Sequence, residues 1–219
     1  MEHAIKTLKE SPLFLGIAQE DIPGMLACLS AERRTFPRRA YIFHAGDRAG
    51  DIGIVLSGGV HIIKEDYWGN RTILAQVGPG DLFGEAFSCA GVERLAVSAV
   101  AVEESEILFL HYRKIITQCS SACIFHQRLI ENLIQVLAQK NIYLTQKMEV
   151  LTKRTTREKL LSYLSTQAVE VGKGSFTIPF NRQELADYLS VDRSAMSTEL
   201  GKMQAEGLLL FEKNRFTLL

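Results

Sequence analysis

The middle of the chain contains neither glycine nor proline between Gly91 and Gly172, and this feature constrains the fold more than any other. Both residue types interrupt helices, because glycine is conformationally free and proline lacks a backbone N–H. Their absence predicts a long uninterrupted helix in the middle of the segment from about Ala122 to Ala168. Separate folded structures are therefore expected before and after this helix.

The helix carries apolar residues at alternating intervals of four and three, which is the 3.5-residue period of a coiled coil. The residues on this repeat are Ile130, Ile134, Leu137, Asn141, Leu144 and Met148, and Leu151 continues it. Leucine at the d positions with a single asparagine at an a position is typical of a parallel two-stranded pair. A buried asparagine can be satisfied across a two-fold axis, so the first six residues predict a homodimer seam.

A second apolar stripe runs beside the predicted seam, at Leu129, Leu133 and Val136. This stripe suits packing of the helix against its own domain, so both faces of the helix are expected to be in use. The alternative is a helix that packs only within its own chain and leaves Asn141 exposed to solvent.

The sequence from about Phe36 to Tyr112 consists of short apolar runs separated by glycine, asparagine and aspartate. Runs of five or six residues at a spacing of roughly ten predict an antiparallel sandwich or barrel. Two short helices, over Ile5–Lys9 and Asp21–Leu29, are predicted before it.

The last stretch returns to helix and ends in short strands. The predicted elements are a helix over Thr155–Val169, a strand over Ser175–Phe180, a helix ending at Tyr188, a helix over Arg193–Ala205, and a hairpin of Leu208–Glu212 and Arg215–Leu219. Asn181 and Glu184 form a predicted capping box, and Asp192 is the predicted N-cap of the next helix. Two helices joined by Ser190 and Val191 form a helix-turn-helix pattern, which predicts DNA binding.

Polar side chains cover the outer face of the second of these helices. The candidate DNA contacts are Arg193, Ser194, Ser197, Thr198 and Lys202, together with Arg182 from the first helix. Arg193 can donate two hydrogen bonds to O6 and N7 of guanine, and the hydroxyls can reach bases or phosphates. The alternative is a small helical oligomerisation domain with a solvated polar face.

The charge balance limits the electrostatic contribution to DNA binding. The 219-residue chain has 25 Lys+Arg and 25 Asp+Glu, which excludes a globally basic nucleic-acid coat. Residues 152–219 carry ten basic and eight acidic side chains, a net charge of +2. Non-specific affinity for double-stranded DNA is therefore expected to be modest and sensitive to salt.

Composition places the chain among ordinary globular proteins, with 47% hydrophobic and 23% charged residues. No apolar run approaches the ~18 residues of a membrane span, and the polar start of the chain leads into no signal-peptide core. Four scattered cysteines are too few for a secreted disulfide framework. A cytoplasmic protein without membrane association is expected.

The segment from Asn181 to Ser197 resembles the winged helix-turn-helix of the Crp/Fnr regulators, which are bacterial transcription factors. Gly80-Asp81-Leu82-Phe83-Gly84-Glu85 is similar to the start of their ligand cassette, and the resemblance covers essentially the whole chain. It implies an α+β fold with an N-terminal antiparallel β-roll (a jelly-roll-like double-stranded β-helix) and flanking helices. A long dimerisation helix and a C-terminal winged helix-turn-helix follow.

The resemblance divides the chain into a cyclic-nucleotide-binding-like sensor domain over 1–122, a dimerisation helix over 123–152 and a DNA-binding domain over 153–219. It implies a homodimer that reads a palindromic site and has RNA polymerase as a further partner. Members use an arginine where Arg193 stands, often a glutamate where Ser194 stands, and commonly an arginine where Thr198 stands. Because the latter two departures remove groups that read bases, the half-site is expected to differ from familiar ones.

In the cyclic-nucleotide binders of this family, a Gly-Glu pair and a later arginine followed by serine or threonine hold the ribose and the cyclic phosphate. The resemblance implies that Gly84, Glu85, Arg94 and Leu95 occupy these places. Leucine cannot donate to a phosphate oxygen, and losing such a bond costs roughly 1.5–3 kcal/mol. Leu95 therefore disfavours a cyclic nucleotide, and another small effector, or a fold retained without this ligand, is expected.

Metal cofactors are not predicted. Oxygen-sensing relatives hold an iron–sulfur cluster with an N-terminal group of cysteines, whereas only Cys28 lies near the start of this chain. Cys119 and Cys123 share a helix face, but no fourth ligand accompanies them and His126. Haem is also disfavoured, because a lone histidine is more often a solvated or core residue than a ligand; the possible ligands are His44, His61, His111 and His126.

An enzyme is not predicted, because the sequence has no Gly-x-Ser-x-Gly, no P-loop and no His-Glu-x-x-His. A cupin-like enzyme would need clustered histidine and glutamate ligands. The remaining alternative is a cyclic-nucleotide-type ligand-binding regulatory protein without a DNA function, which the C-terminal helix-turn-helix pattern disfavours.

Overall fold

The structure is a computed structural model that describes residues 2–68, 71–117, 124–178 and 180–219. The chain divides into two compact units, Met1–Ala138 and Gln139–Leu219. The longest helix, Ile124–Leu151, contributes its first half to one unit and its second half to the other. No helix within the described ranges has the length and hydropathy needed to cross a membrane.

The first unit is built from eight strands and several helices. Its helices are α1 (Glu2–Glu10), a 3-10 turn at Pro12–Phe14, α2 (Ile22–Cys28), α3 (Glu85–Cys89), α4 (Tyr112–Ile116) and the first half of α5 (Ile124–Leu151). Its strands are β1 (Glu32–Phe36), β2 (Tyr41–Phe43), β3 (Asp51–Ser57), β4 (Val60–Glu65), β5 (Arg71–Val77), β6 (Leu82–Phe83), β7 (Ser98–Ala101) and β8 (Ser105–His111).

The strands form two four-stranded antiparallel sheets, in the orders β1-β8-β3-β6 and β2-β7-β4-β5. This arrangement confirms the predicted antiparallel sandwich or barrel. Short helices α1 and α2 also lie where the sequence predicts them, whereas α3 and α4 were not predicted from the residue pattern.

Strand β3 is buried on both of its faces. Ile52, Ile54 and Leu56 join the core formed with the N-terminal helices, while Val55 joins a second core with residues of both sheets. Alternate side chains of a strand point to opposite faces, so the three even-numbered residues face one core and Val55 faces the other. The strand is therefore enclosed between the N-terminal helices and the interior of the roll.

Gly53 stands on β3 opposite Phe83 of β6, and the space there is already filled. A Cβ atom at Gly53 would lie 2.3 Å from Cζ of the Phe83 ring. The ring cannot easily yield, since Phe83 is only 2% exposed. Glycine at this position therefore lets the aromatic ring close over the strand.

The first half of α5 packs against the N-terminal core. Leu129 and Leu133 belong to that core and Val136 is buried, which confirms the predicted intramolecular stripe. Asn132, which the sequence reasoning missed, is also buried, and its Nδ2 donates to the carbonyl oxygens of Leu13 at 2.8 Å and Leu15 at 2.9 Å. The helix is thus fixed to the N-terminal turn by both apolar and polar contacts.

The second unit combines the end of α5 with three helices and three strands. These are α6 (Thr156–Val171), β9 (Ser175–Thr177), α7 (Arg182–Leu189), α8 (Arg193–Ala205), β10 (Leu209–Glu212) and β11 (Arg215–Leu218). The predicted helices and hairpin are all present. Strand β9 ends earlier than predicted, and it pairs with β11 to complete an antiparallel sheet in the order β10-β11-β9.

Local capping explains where helix α6 begins and ends. The Thr155 side chain accepts from the Glu158 amide at 3.1 Å, and the Glu158 carboxylate accepts from the Thr155 amide at 3.0 Å. Gly172 follows the helix with φ +67°, a left-handed conformation that favours glycine. Two local signals therefore determine where the helix begins and where it ends.

We expect Gly53→Ala to lower the free energy of unfolding by about 1–3 kcal/mol, because the added methyl group must displace the Phe83 ring. Urea unfolding followed by far-UV circular dichroism measures the change. The matched control is Gly24→Ala in α2, where a Cβ meets nothing within 4 Å and where helix propensity improves. Equal stability of the two variants would show that the ring moves aside freely.

Candidate nucleic-acid interface and effector site

Helices α7 and α8 form a tight helix-turn-helix. Ser190 ends α7 with φ +51°, and the Val191 amide donates to the Ala186 carbonyl at 3.0 Å. The Asp192 side chain then accepts from the Ala195 amide at 2.8 Å, as the predicted N-cap of α8. Helix α8 therefore starts immediately after a turn whose backbone is hydrogen-bonded.

The capping box predicted for α7 is also present. The Asn181 side-chain oxygen accepts from the amides of Gln183 at 2.9 Å and Glu184 at 3.0 Å. The Glu184 carboxylate accepts from the Asn181 amide at 2.7 Å. Both helices of the motif thus begin where the sequence predicts.

The inner face of the motif is fully buried. The residues with no exposed surface are Leu185, Ala186, Leu189, Met196, Leu200 and Met203. The absence of a longer side chain at Ala186 lets the helices approach closely. Because one face of α8 is committed to this core, its opposite face must be presented to solvent.

The exposed face of α8 carries five of the six candidate DNA contacts. These are Arg193, Ser194, Ser197, Thr198 and Lys202. The Ser197 hydroxyl donates to the Arg193 carbonyl at 2.9 Å, and Lys202 Nζ lies 3.7 Å from Glu199 Oε2. Arg193 stands in the first turn, at the end of the helix that would enter a groove first.

Arg182, the sixth candidate, is half-buried in the second unit. Its guanidinium lies 4.7 Å from the ring centroid of Phe211 and 5.1 Å from that of Phe216. Burial lowers the pKa of this arginine below its ordinary value. The contacts give Arg182 a packing role against the hairpin, and its contact with DNA stays a prediction.

Arg157 connects helices α6 and α8. Its guanidinium pairs with the carboxylate of Glu206, and its Nη1 lies 3.5 Å from Glu199 Oε1. These pairs hold the C-terminal end of α8 against α6. The charge of Arg157 is therefore balanced by carboxylates within the protein.

Three tyrosines that the sequence analysis missed form a cluster: Tyr143 of α5, Tyr163 of α6 and Tyr188 of α7. The ring centroids of Tyr163 and Tyr188 are 5.2 Å apart, and Phe180 lies 5.0 Å from Tyr188. Tyr143 of α5 hydrogen-bonds Tyr188, and Lys147 Nζ stands 5.1 Å from the centre of the Tyr188 ring. The cluster therefore connects the last turns of α5 to α6 and α7.

Burial shifts the ionisation of these tyrosines to higher pH. It raises the pKa of Tyr143 and Tyr163 above the ordinary value, and it raises the pKa of Tyr188 to about 12. A tyrosine hydroxyl is already neutral at physiological pH, so the shifts matter only under alkaline conditions.

The cassette residues begin where β6 meets α3. Gly84 has φ +79°, and a Cβ there would approach the Asp51 carbonyl oxygen to 3.2 Å. Glu85 is the first residue of α3 and is buried. One turn later, the Ser88 hydroxyl donates to the Asp51 carbonyl at 3.0 Å, which holds α3 against β3.

Arg94 and Leu95 lie in different surroundings, although they are adjacent in sequence. The exposed Arg94 donates from Nη1 to the Gly46 carbonyl at 2.7 Å, whereas Leu95 is buried. The Leu95 backbone also bonds to the same loop, accepting from the Gly46 amide at 2.8 Å and donating to the Asp47 carbonyl at 2.9 Å. The segment is thus tied to the loop between β2 and β3.

Arg94 borders a polar cleft of about 810 Å³ outside the interior of the roll. Arg48 and Arg113 line the same cleft, as does His111, whose Nδ1 is 3.0 Å from Asp51 Oδ1. Glu85 and Leu95 are not among the residues that line it. The binding of an effector by Gly84, Glu85, Arg94 and Leu95 stays a prediction.

No three His, Cys, Asp or Glu side chains in the described ranges are close enough together to hold a metal ion. Cys119 and Cys123 lie outside the described residues. Burial, with a contribution from the carboxylate of Glu85, raises the pKa of the Cys89 thiol above its ordinary value.

Comparison with known proteins now identifies the fold. The cyclic nucleotide-binding domain matches residues 33–122, and the Crp-like helix-turn-helix domain matches residues 158–219. The cyclic AMP receptor protein of Thermus thermophilus is 31% identical over 203 residues, covering 92% of this chain and 89% of that protein. The CRP-like protein Clp of Xanthomonas euvesicatoria is 27% identical over 199 residues, covering 82% and 80%.

Among solved structures, the catabolite activator protein of Thermus thermophilus aligns with a TM-score of 0.51 and 27% identity, covering 95% of this chain and 94% of that one. The sensor-like roll and the helix-turn-helix together define a DNA-binding transcription regulator. The chain belongs to the Crp/Fnr family of these regulators, which confirms the predicted fold class. Its relatives are regulators and not enzymes.

The raised pKa of Tyr188 predicts that stability falls as the pH rises from about 10 towards 12. An unfolded tyrosine loses its proton near pH 10, whereas folded Tyr188 keeps its proton, so alkaline pH favours unfolding. We expect Tyr188→Phe to reduce the drop in urea midpoint between about pH 9 and about pH 11. Tyr67→Phe is the control, because Tyr67 is 95% exposed. An identical drop in Tyr188→Phe and wild type would contradict the assignment.

Proposed function

We propose that this regulator is a homodimer that reads a palindromic DNA site and is controlled by a small effector in its N-terminal domain. The observation that carries the proposal is the exposed polar face of α8, which begins at Arg193 and is backed by a fully buried core. A helix presented in this way can enter the major groove without disturbing its own domain.

Arg193 supplies the main base contact in this proposal. A guanidinium in the first turn of α8 can form a bidentate pair with guanine, and such a pair discriminates by about 1–3 kcal/mol against other bases. Ser194 and Thr198 offer hydroxyls where family members often offer glutamate and arginine. The operator half-site is therefore expected to have one strongly read guanine and weaker preferences beside it.

Exposed apolar side chains on α5 support the homodimer. Ile134, Leu144 and Met148 are 60%, 56% and 64% exposed, although all three are large and apolar. They fall on the heptad repeat with Asn141, which is also exposed. Burial of such a side chain contributes about 1.5–3 kcal/mol, so a second copy packed along this seam gains a substantial stabilisation.

Ile130 and Leu137, the remaining seam residues, are only partly buried by the N-terminal core. Each can therefore contact the core on one side and a second chain on the other. Because these two residues can contact their own core and a second chain at once, they support a dimer that forms between N-terminal units that are already folded.

Effector control is proposed through the same helix. A small molecule bound near Glu85 and Arg94 would shift the seam at Ile134–Met148, and the shift would change the separation of the two α8 helices. Reading of adjacent major grooves requires a separation of about 34 Å. RNA polymerase is the proposed further partner.

The effector is proposed to be a small molecule other than a cyclic nucleotide. The Thermus thermophilus relative is named as a cyclic AMP receptor, but Leu95 stands here in place of the hydroxyl residue of cyclic-nucleotide binders. The packed interior of the roll, where the Phe43 and Phe83 ring centroids are 5.8 Å apart, supports the same view.

Arg193→Ala tests the proposed reading of DNA. We expect the variant to lose preference at one base position of each half-site and to bind its operator ~10–100-fold more weakly. Selection of bound fragments from a random DNA library with the purified protein measures both effects. The matched control is Lys173→Ala, which removes one positive charge from an exposed turn in the same unit.

Uniform weakening of Arg193→Ala across all sequences would assign the residue to a phosphate contact. Failure of the wild-type protein to enrich any DNA sequence would refute the proposed function.

Leu144→Glu tests the proposed seam. We expect it to be monomeric at micromolar concentration, because two carboxylates would face each other across the two-fold axis. Ile142→Glu is the control, since Ile142 is similarly exposed, at 60% against 56% for Leu144, on the same helix but lies off the heptad repeat. Sedimentation equilibrium gives the association state, and a dimeric Leu144→Glu variant would place the interface elsewhere.

A further inference from the structure

We propose that the second unit contains a binding site for a small methylated ammonium cation, in a cavity that neither α8 nor the cassette residues line. The cavity has a volume of about 240 Å³ and lies between the second half of α5, α6 and α7. This volume is just below the range of sites for drug-sized molecules, which favours a compact ligand. All of its described lining residues belong to the second unit.

Four aromatic side chains line the cavity: Tyr143, Tyr163, Phe180 and Tyr188. The ring centroids of Tyr163 and Phe180 are 6.1 Å apart, and Tyr188 lies closer to each of them. Tyr143 is 48% exposed, and Phe180 and Tyr188 are partly exposed, so their rings retain surface that a ligand can contact. Because the face of an aromatic ring carries partial negative charge, such walls attract a cation.

A cation of the protein already stands on this cluster of rings. Lys147 Nζ lies 5.1 Å from the centre of the Tyr188 ring, which is within the usual range of a cation–π contact. Lys147 does not line the cavity, and neither does any other lysine, arginine or histidine of the described residues. The cavity therefore combines aromatic walls with an absence of positive charge among those residues.

Glu170 is the one charged side chain among the described residues that line the cavity. Gln167, which also lines it, donates from Nε2 to Glu170 Oε2 at 2.8 Å and so holds the carboxylate in place. After burial and Tyr143, the negative charge of Glu170 contributes to the raised pKa of Tyr188, so the carboxylate acts on the same rings. A lone carboxylate at such a site attracts a cation and repels an anion.

The scarcity of hydrogen-bond acceptors favours a methylated ammonium group over a bare one. A primary ammonium carries three N–H donors and is strongly hydrated, so it needs several acceptors when it leaves water. A trimethylammonium group has no N–H donor and presents methyl groups, which pack on aromatic rings. Rings and a single carboxylate are therefore better matched to the methylated cation.

The location places the site at the junction of the long helix and the helix-turn-helix. Tyr143 and Val150 belong to α5, Tyr163 belongs to α6, and Tyr188 belongs to α7. A bound cation would therefore contact both the helix that carries the proposed dimer seam and the first helix of the motif. This consequence for regulation rests on the proposed function, whereas binding itself does not.

Choline and neohexanol provide the test, because they have nearly the same shape and differ in charge. Neohexanol is the uncharged alcohol in which a tert-butyl group replaces the trimethylammonium group of choline. We expect choline to bind the full-length protein with one molecule per chain and about tenfold more tightly than neohexanol, as measured by nuclear magnetic resonance titration. Ethanolamine, which keeps the charge but lacks the methyl groups, should bind more weakly than choline.

Two variants assign the binding to this cavity. Glu170→Gln keeps the size of an exposed side chain and should weaken choline about two- to fivefold without changing neohexanol. Tyr143→Leu removes a half-exposed ring and should weaken choline by a similar factor. The matched control is Glu212→Gln, which removes an exposed carboxylate of the same unit that does not line the cavity. It should leave the affinity for choline unchanged.

A measurement on the wild type guards against a misfolded variant. The N-methyl protons of choline should show nuclear Overhauser effects to ring protons of Tyr143 and Tyr188. Equal affinity for choline and neohexanol, absence of saturable binding, absence of these Overhauser effects, or unchanged choline affinity in Glu170→Gln would each overturn the proposal. Since none of these readouts involves DNA, failure of operator binding would refute the proposed function alone.

Discussion

The attachment of α5 to the N-terminal turn is the interaction on which the rest of the structure depends. Asn132 donates to two carbonyl oxygens of that turn, at Leu13 and Leu15, from a position that is itself buried. Leaving these carbonyls or the amide unpaired would cost free energy, so the register of the helix on its unit is fixed. Ile130, Ile134 and Leu137, the residues of the heptad repeat that belong to this unit, then have a defined orientation on it.

The second unit depends on a different constraint, the division of α8 into two faces. Met196, Leu200 and Met203 are completely buried. Their burial fixes the rotation of the helix and therefore determines which of its residues are exposed to solvent. The tyrosine cluster and the Arg157 pairs hold the surrounding helices in place. One side of these thirteen residues thus packs in the core, and the opposite side is the one proposed to contact DNA.

Sequence reasoning succeeded where the signal was local. The caps at Asn181 and Asp192 were predicted because their partners lie within three residues, and the strands and helices follow from periodicity. It missed Asn132 and the tyrosine cluster because their partners are distant in sequence. It could not place Arg94, whose bond to Gly46 depends on how the β2–β3 loop folds back. Family resemblance named the cassette residues but did not reveal their separate surroundings.

The two-faced construction of α8 has a consequence for how such regulators diversify. Exposed positions such as Ser194 and Thr198 contribute little to packing, and substitutions at such surfaces usually change stability by less than about 0.5 kcal/mol. Under the proposed function, new operators can therefore be acquired by drift at these positions without a compensating change in the core. A lineage of duplicated genes could retarget its members to separate promoters while preserving one scaffold.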